Sequence, residues 1–195
     1  GDIELAKKLI DSANAAGCHS VKFQSWTKSS IFSRQVYEEN YFLNDDYRDR
    51  TDFTLEEIVD AYSASEEDLR VLKVYCDEIG IEFSCSPFSE SEVDFLVDEL
   101  KVNFLKLASM DCNNYPFLDY VAAKGVPTIL STGLSAIHEI DRAVEIFENR
   151  GNEKLILLHC VAQYPPALEN INLNNIEMLR NSYPKYPVGF SDHSL

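Results

Sequence analysis

The stretch "FLKLASMDCNNYPFLDYVAAKGVPTILSTGLS", Phe104 to Ser135, decides the fold. It opens on Phe104-Leu105-Lys106-Leu107, a short apolar run that predicts a strand. Residues 115–124 predict a helix, and Thr128-Ile129-Leu130 predicts a second strand that runs into Ser131-Thr132-Gly133. The same alternation extends both ways. Upstream, residues 3–16 carry Ile3, Leu5, Ala6, Leu9, Ile10 and Ala13 at helical spacing, closed by Gly17. A strand follows at 20–24, a helix at 65–79 between Ser65 and Gly80, a strand at 81–85 and a helix at 89–100. Downstream come a helix at 135–149, a strand at 155–160, a helix at 172–182 and a last strand, Val188-Gly189-Phe190. Six strands alternating with helices predict an α/β fold, a parallel sheet covered by helices. Ser65 and Ser135 read as helix caps.

One connection breaks the rhythm. Residues 25–63 are long, charged and aromatic, with Trp26, Phe32, Tyr37, Tyr41, Phe42, Tyr47 and Phe53. A short helix is predicted at 54–62. Loops of this length are uncommon unless functional, and a plain insertion is the alternative.

Composition bounds the partners. The chain has 195 residues, 45% hydrophobic and 26% charged, as soluble globular chains do. No apolar run approaches the roughly 18 residues of a membrane span, and no basic-then-apolar leader is present, so no membrane is expected. The net charge of -16 argues against nucleic acid. The five cysteines show no C-x-x-C spacing and read as reduced thiols of a cytoplasmic protein.

The C-terminal ends of all six strands are polar. They carry Lys22 and Gln24; Ser84, Cys85 and Ser86; Lys106 to Ser109 and Asp111; Ser131 and Thr132; His159 to Tyr164; and Ser191, Asp192 and His193. α/β folds gather their sites at that edge, and in a closed barrel it forms one mouth. A lysine inside an apolar strand costs stability unless its ammonium meets an anion or reaches solvent. Lys22 and Lys106, with serines at neighbouring tips, suit a phosphate or carboxylate. Snorkelling or surface lysines are the other reading. His159, inside an apolar strand, reads as a structural core histidine, whereas His193 reads as a metal ligand or as a helix-capping or hydrogen-bonded histidine.

Taken in order, "VKFQ" (21–24), "FSCSPFS" (83–89), "LKLASMDCNNYP" (105–116), "ILSTGLS" (129–135), "LLHCVAQYP" (157–165) and "VGFSDHSL" (188–195) resemble the sialic acid synthases. That family includes the N-acetylneuraminate, legionaminic and pseudaminic acid synthases. The resemblance implies a TIM-type (β/α)8 barrel. Residues 1–195 would be a partial catalytic barrel holding strands two to seven. The first and eighth strands and a C-terminal antifreeze-like domain would lie outside it. It implies condensation of phosphoenolpyruvate with an N-acyl hexosamine, in a cytoplasmic protein that forms a homodimer. Lys22 and Lys106 would hold phosphoenolpyruvate, with Ser86, Ser109, Ser131 and Ser191 on its phosphate or carboxylate. His193 would ligate a divalent metal, Mn2+ before Mg2+ or Co2+. Asp111 and Tyr164 would face the sugar, and Gln24 lies in the matching motif. Three positions depart from the pattern. Ser86 stands where threonine is common, Asp111 where some members carry glutamate, and Ala162 where a small polar residue is usual. Two rival functions are a Schiff-base aldolase using Lys106 and a non-catalytic binder of sugar or phosphate.

Overall fold

Asp2 accepts a hydrogen bond from the Leu5 N–H at 3.0 Å and so starts α1 (Ile3–Ala15). Gly17, at φ +81°, ends it, within a residue of the predicted boundary. The computed structural model describes residues 1–39 and 53–195, in two units, Gly1–Leu100 and Lys101–Leu195.

In the first unit β1 (Ser20–Gln24) leads into the long connection. The connection carries two short helices that its sequence did not predict, α2 (Lys28–Ile31) and α3 (Arg34–Glu39), and the predicted α4 (Leu55–Tyr62). Lys28 pairs with Glu56, which ties α2 to α4. Tyr41, Phe42 and Tyr47 lie outside the described residues. In α5 (Glu66–Ile79) the Ser65 Oγ accepts from the Asp68 N–H at 3.1 Å, and Asp68 Oδ2 accepts from the Ser65 N–H at 2.9 Å. This reciprocal pair confirms Ser65 as the cap. β2 (Glu82–Ser86) runs parallel to β1, with Lys22 opposite Ser84 and Gln24 opposite Ser86.

The predicted 89–100 helix is instead α6 (Glu90–Asp94) followed by one π turn, Phe95–Glu99, in which the Leu100 N–H reaches back to Phe95 O at 2.9 Å. The wider turn rotates the buried face. Phe95 and Leu96 enter the core, while Val97 and Leu100 sit half-buried at its edge. The Arg70 guanidinium lies 4.8 Å over the Phe95 ring.

In the second unit β3 (Leu105–Leu107), β4 (Thr128–Ser131), β5 (Leu155–Cys160) and β6 (Val188–Ser191) pair in parallel, each with the next. Crossovers run through α7 (Tyr115–Ala123), α8 (Ile137–Asn149) and α9 (Asn174–Ser182). Side chains alternate across a strand, so the register assigns the faces. Leu105, Leu107, Leu130, Leu155 and Leu157 share one face, and none is more than 1% exposed. Leu118 and Val121 of α7 and Ala143 and Phe147 of α8 are fully buried as well. Burial of each such large side chain contributes about 1.5–3 kcal/mol.

Two predicted boundaries move. Ser135 is not a cap: α8 starts after Ala136, whose N–H is taken by Glu139 Oε2 at 2.7 Å, while Ser135 Oγ donates to Gly133 O at 3.4 Å. The glutamate satisfies the N–H of the residue that precedes the helix, and the Ser135 hydroxyl caps no helical N–H. α9 starts at Asn174 rather than 172, because Asn172 sits at φ +48°, outside the helical region.

Candidate functional site

The faces of the strands opposite the helices carry the polar residues. In the first unit Lys22, Gln24, Ser84 and Ser86 share that face by register. Lys22 and Gln24 are exposed, and Ser84 and Ser86 are 1% exposed. Val21, Phe23, Phe83 and Cys85 take the other face, where the rings of Phe23 and Phe83 stack at 5.4 Å. Burial pushes the Cys85 thiol up to about 12, so it is a neutral core group.

In the second unit the same alternation sets Lys106, Ser131, Cys160 and Ser191 on one face. Lys106, between two fully buried leucines, donates from Nζ to Ser131 Oγ at 2.6 Å and to Leu107 O at 2.7 Å. That is the geometry of an ammonium held at the strand ends. Beside it, a Cβ added at Gly133 would stand 2.6 Å from Cys160 Sγ and 3.3 Å from Ser109 Oγ. Gly133 therefore lets the β4 turn close over Cys160 and Ser109.

Ser109 and Asp111 lie on a single 3-10 turn, Ser109–Asp111, directly after β3. Asp111 is 7% exposed, and its Oδ1 accepts from Asn114 Nδ2 at 3.2 Å.

His193 follows β6. Its Nδ1 donates to Val161 O at 2.8 Å, which leaves Nε2 as the acceptor, 3.4 Å from Ser191 Oγ. Its ring stacks on Tyr164, centroids 4.1 Å apart. The Asp192 carboxylate turns away to the N–H and hydroxyl of Ser194, which hold it below the usual carboxylate range. Ser191, Asp192 and His193 therefore form no relay. Among the described residues no group of three His, Cys, Asp or Glu side chains is placed to hold a metal; His193 Nε2 is a single oriented imidazole nitrogen. His159 faces the helices, with Nε2 2.6 Å from Ile171 O and its ring stacked on Phe190, as expected of a core histidine.

The second unit thus brings together Lys106 with Ser131, and His193 with Ser191 and Tyr164; the first brings together Lys22, Gln24 and Ser86. Sequence reading placed Ser84 and Cys160 at strand ends without assigning either to a face. The signal was period two: Ser84 is two residues before Ser86, and Cys160 is two after the inward Leu158. Among the described residues no helix is long and apolar enough to cross a membrane.

Known proteins share this fold and part of this sequence. The family model described as NeuB family matches residues 9–195. An uncharacterized protein of Methanocaldococcus jannaschii is 38% identical over 100% of this chain and 52% of its own. The N,N'-diacetyllegionaminic acid synthase of Legionella pneumophila is 34% identical over 100% of this chain and 54% of its own. The crystal structure of N-acetylneuraminic acid (sialic acid) synthetase from Leptospira borgpetersenii, in complex with citrate, superposes with a TM-score of 0.85 at 32% identity, over 100% of this chain and 61% of that one. The chain spans about half the length of the curated relatives it matches. The fold class is that of a TIM-type β/α barrel, of which this chain covers a part. From the match over residues 9–195, the chain belongs to the NeuB family.

Proposed function

We propose that the protein carrying this chain condenses phosphoenolpyruvate with an N-acyl hexosamine and water to give a nonulosonic acid and phosphate. The observation that carries the reading is the Lys106 ammonium, held on Ser131 Oγ at 2.6 Å beside the Gly133 turn and Ser109. Lysine supplies point charge, and the hydroxyls supply directed hydrogen bonds, which suits a phosphate and a carboxylate on one small substrate. Lys22, Gln24 and Ser86 offer the same chemistry in the first unit, and Ser191 adds a hydroxyl at β6. Asp111 and Tyr164 are assigned to the sugar.

In the reaction the C3 carbon of phosphoenolpyruvate adds to the aldehyde carbon of the open-chain sugar. Water adds to C2, and phosphate leaves by C–O cleavage. The lysines and serines bind and orient the phosphate and carboxylate, which is an effective-concentration role. The Nε2 lone pair of His193, fixed by its Nδ1 bond to Val161 O, is assigned to a divalent metal, Mn2+ first. One imidazole cannot hold that ion alone, and further ligands would have to complete its shell. A metal held there would supply Lewis-acid polarisation of the aldehyde. The homodimer, the cytoplasmic location and the extent of the barrel beyond this chain belong to the same proposal. The five free cysteines, four of them buried, support a reducing compartment.

The test is phosphate release from phosphoenolpyruvate with Mn2+, with and without a panel of N-acyl hexosamines, using the full-length protein. Release that requires both sugar and metal is the expected result. Absence of release with every sugar refutes the synthase. A Lys106 imine trapped by borohydride with pyruvate would favour the aldolase instead; the two acceptors already on Nζ argue against that nucleophile.

A further inference from the structure

Glu92 is a charged side chain buried where none of the reactions above uses it. It stands three residues after Ser89, the N-cap of α6, whose Oγ accepts from the Glu92 N–H at 3.3 Å. In the usual capping box its carboxylate would return to the Ser89 N–H. Here it passes over Ser89. Oε2 accepts from the Phe88 N–H at 2.8 Å and from Ser25 Oγ at 2.9 Å. Ser25 in turn ties to β2: its N–H reaches Ser86 O at 3.0 Å, and its Oγ lies 3.1 Å from the same carbonyl. Glu92 is 8% exposed, Ser25 4% and Ser86 1%. Oε1 of Glu92 is buried with no hydrogen-bond partner among the described residues.

A buried carboxylate with one oxygen unsatisfied destabilises the fold unless its other bonds are strong. The residues it binds give it a role. Ser25 directly follows Gln24, and Phe88 lies two residues beyond Ser86. Gln24 and Ser86 are the register partners at the ends of β1 and β2, on the face opposite Glu92. A single carboxylate oxygen, from behind the strands, therefore fixes the residues that flank both.

We propose that Glu92 is a positioning residue for phosphoenolpyruvate: through Ser25 and the Phe88 N–H it sets the ends of β1 and β2 so that Lys22, Gln24 and Ser86 meet the phosphate or carboxylate. This rests on the synthase reading. It adds a residue that neither the strand-end pattern nor the motif resemblance singled out. Glu92 touches no substrate; it acts through Ser25 and the Ser86–Phe88 turn.

The experiment compares wild type, Glu92→Ala, Glu92→Gln and Ser25→Ala in the full-length protein, with KM measured separately for phosphoenolpyruvate and sugar. Glu92→Ala is expected to raise KM for phosphoenolpyruvate about tenfold and leave the sugar KM within about twofold, because ground-state contacts to one substrate are lost. Glu92→Gln keeps an acceptor oxygen for both donors and is expected to stay within about threefold of wild type. Ser25→Ala removes one bond and should fall between them. A lower melting temperature with both KM values unchanged, or both rising together, overturns the proposal. If Glu92→Ala does not fold, Ser25→Ala decides: an unchanged phosphoenolpyruvate KM overturns it. A wild type that binds phosphoenolpyruvate calorimetrically without releasing phosphate refutes the synthase alone, and the variants are then compared by Kd. A wild type that does neither overturns both.

Discussion

Gly133→Ala tests the packing of the strand-end site at one atom. The added Cβ would stand 2.6 Å from Cys160 Sγ, 3.2 Å from Cys160 O and 3.3 Å from Ser109 Oγ. Ordinary carbon contacts lie near 3.5–4.0 Å, so Sγ must give way by about 1 Å. It has little freedom to do so. The sulfur is only two bonds from a β5 backbone that is paired to β6 at Ser191, and Cys160 is only 5% exposed. Overpacking of this kind costs about 1–3 kcal/mol. Backbone strain adds nothing, because Gly133 is not among the residues with positive φ. Denaturant unfolding of the full-length protein should show that loss. Ser109 Oγ, at 3.3 Å, must give way by only a few tenths of an ångström, so phosphate release should fall by about tenfold at most, short of the roughly hundredfold that a full 1 Å misplacement costs. Cys160→Ala removes the atom in the way, so the double variant should recover at least about 1 kcal/mol relative to the sum of the singles. A Gly133→Ala protein within about 0.5 kcal/mol of wild type and fully active would refute the reasoning, as would strict additivity.

Four further outcomes are expected. Lys106→Ala should lower phosphate release at least about a hundredfold with its melting temperature nearly unchanged, and near-normal turnover would remove Lys106 from the site. Asn152→Ala should destabilise by about 2–4 kcal/mol in urea unfolding, because the 3% exposed amide donates to Ala122 O and Val126 O at 3.3 and 3.0 Å and accepts from the Lys154 N–H at 3.2 Å. With a thiol reagent at pH 8, the exposed Cys18 should react fast in the native protein and the four buried cysteines only after unfolding. Burial pushes the Cys76 and Cys85 thiols from 9.0 up to about 11 and about 12. Between those limits the folded state binds more protons than the unfolded one, so this contribution is full below pH 9 and is lost as pH rises through 11 to 12. A urea midpoint that stays flat or rises from pH 9 to 11 would contradict this.

The sequence by itself determined the alternation of strands and helices, because periodic apolar residues and local caps act over a few neighbours. It also determined which strand ends carry polar groups. The resemblance of its motifs pointed to the family that the comparison then established. Period two in β3 already separated Lys106 from Leu105 and Leu107. Several features were decided only by tertiary structure. The π turn at Phe95–Glu99 adds Phe95 to the buried face that Val93 and Leu96 form and leaves Val97 and Leu100 at its edge. α8 starts a residue later than Ser135 predicts: the Ser135 hydroxyl donates back to Gly133 O, and Glu139 takes the Ala136 N–H. Local spacing alone would return the Glu92 carboxylate to the Ser89 N–H; only the closeness of β1 to β2 gives it Ser25 as a donor. Cys160 and Gly133 are far apart in sequence, and their fit exists only once β4 and β5 are in register. Local pattern fixes an element because its energies are short-ranged. Side-chain partners across elements depend on register and on competition for buried hydrogen bonds, and those exist only in the folded chain.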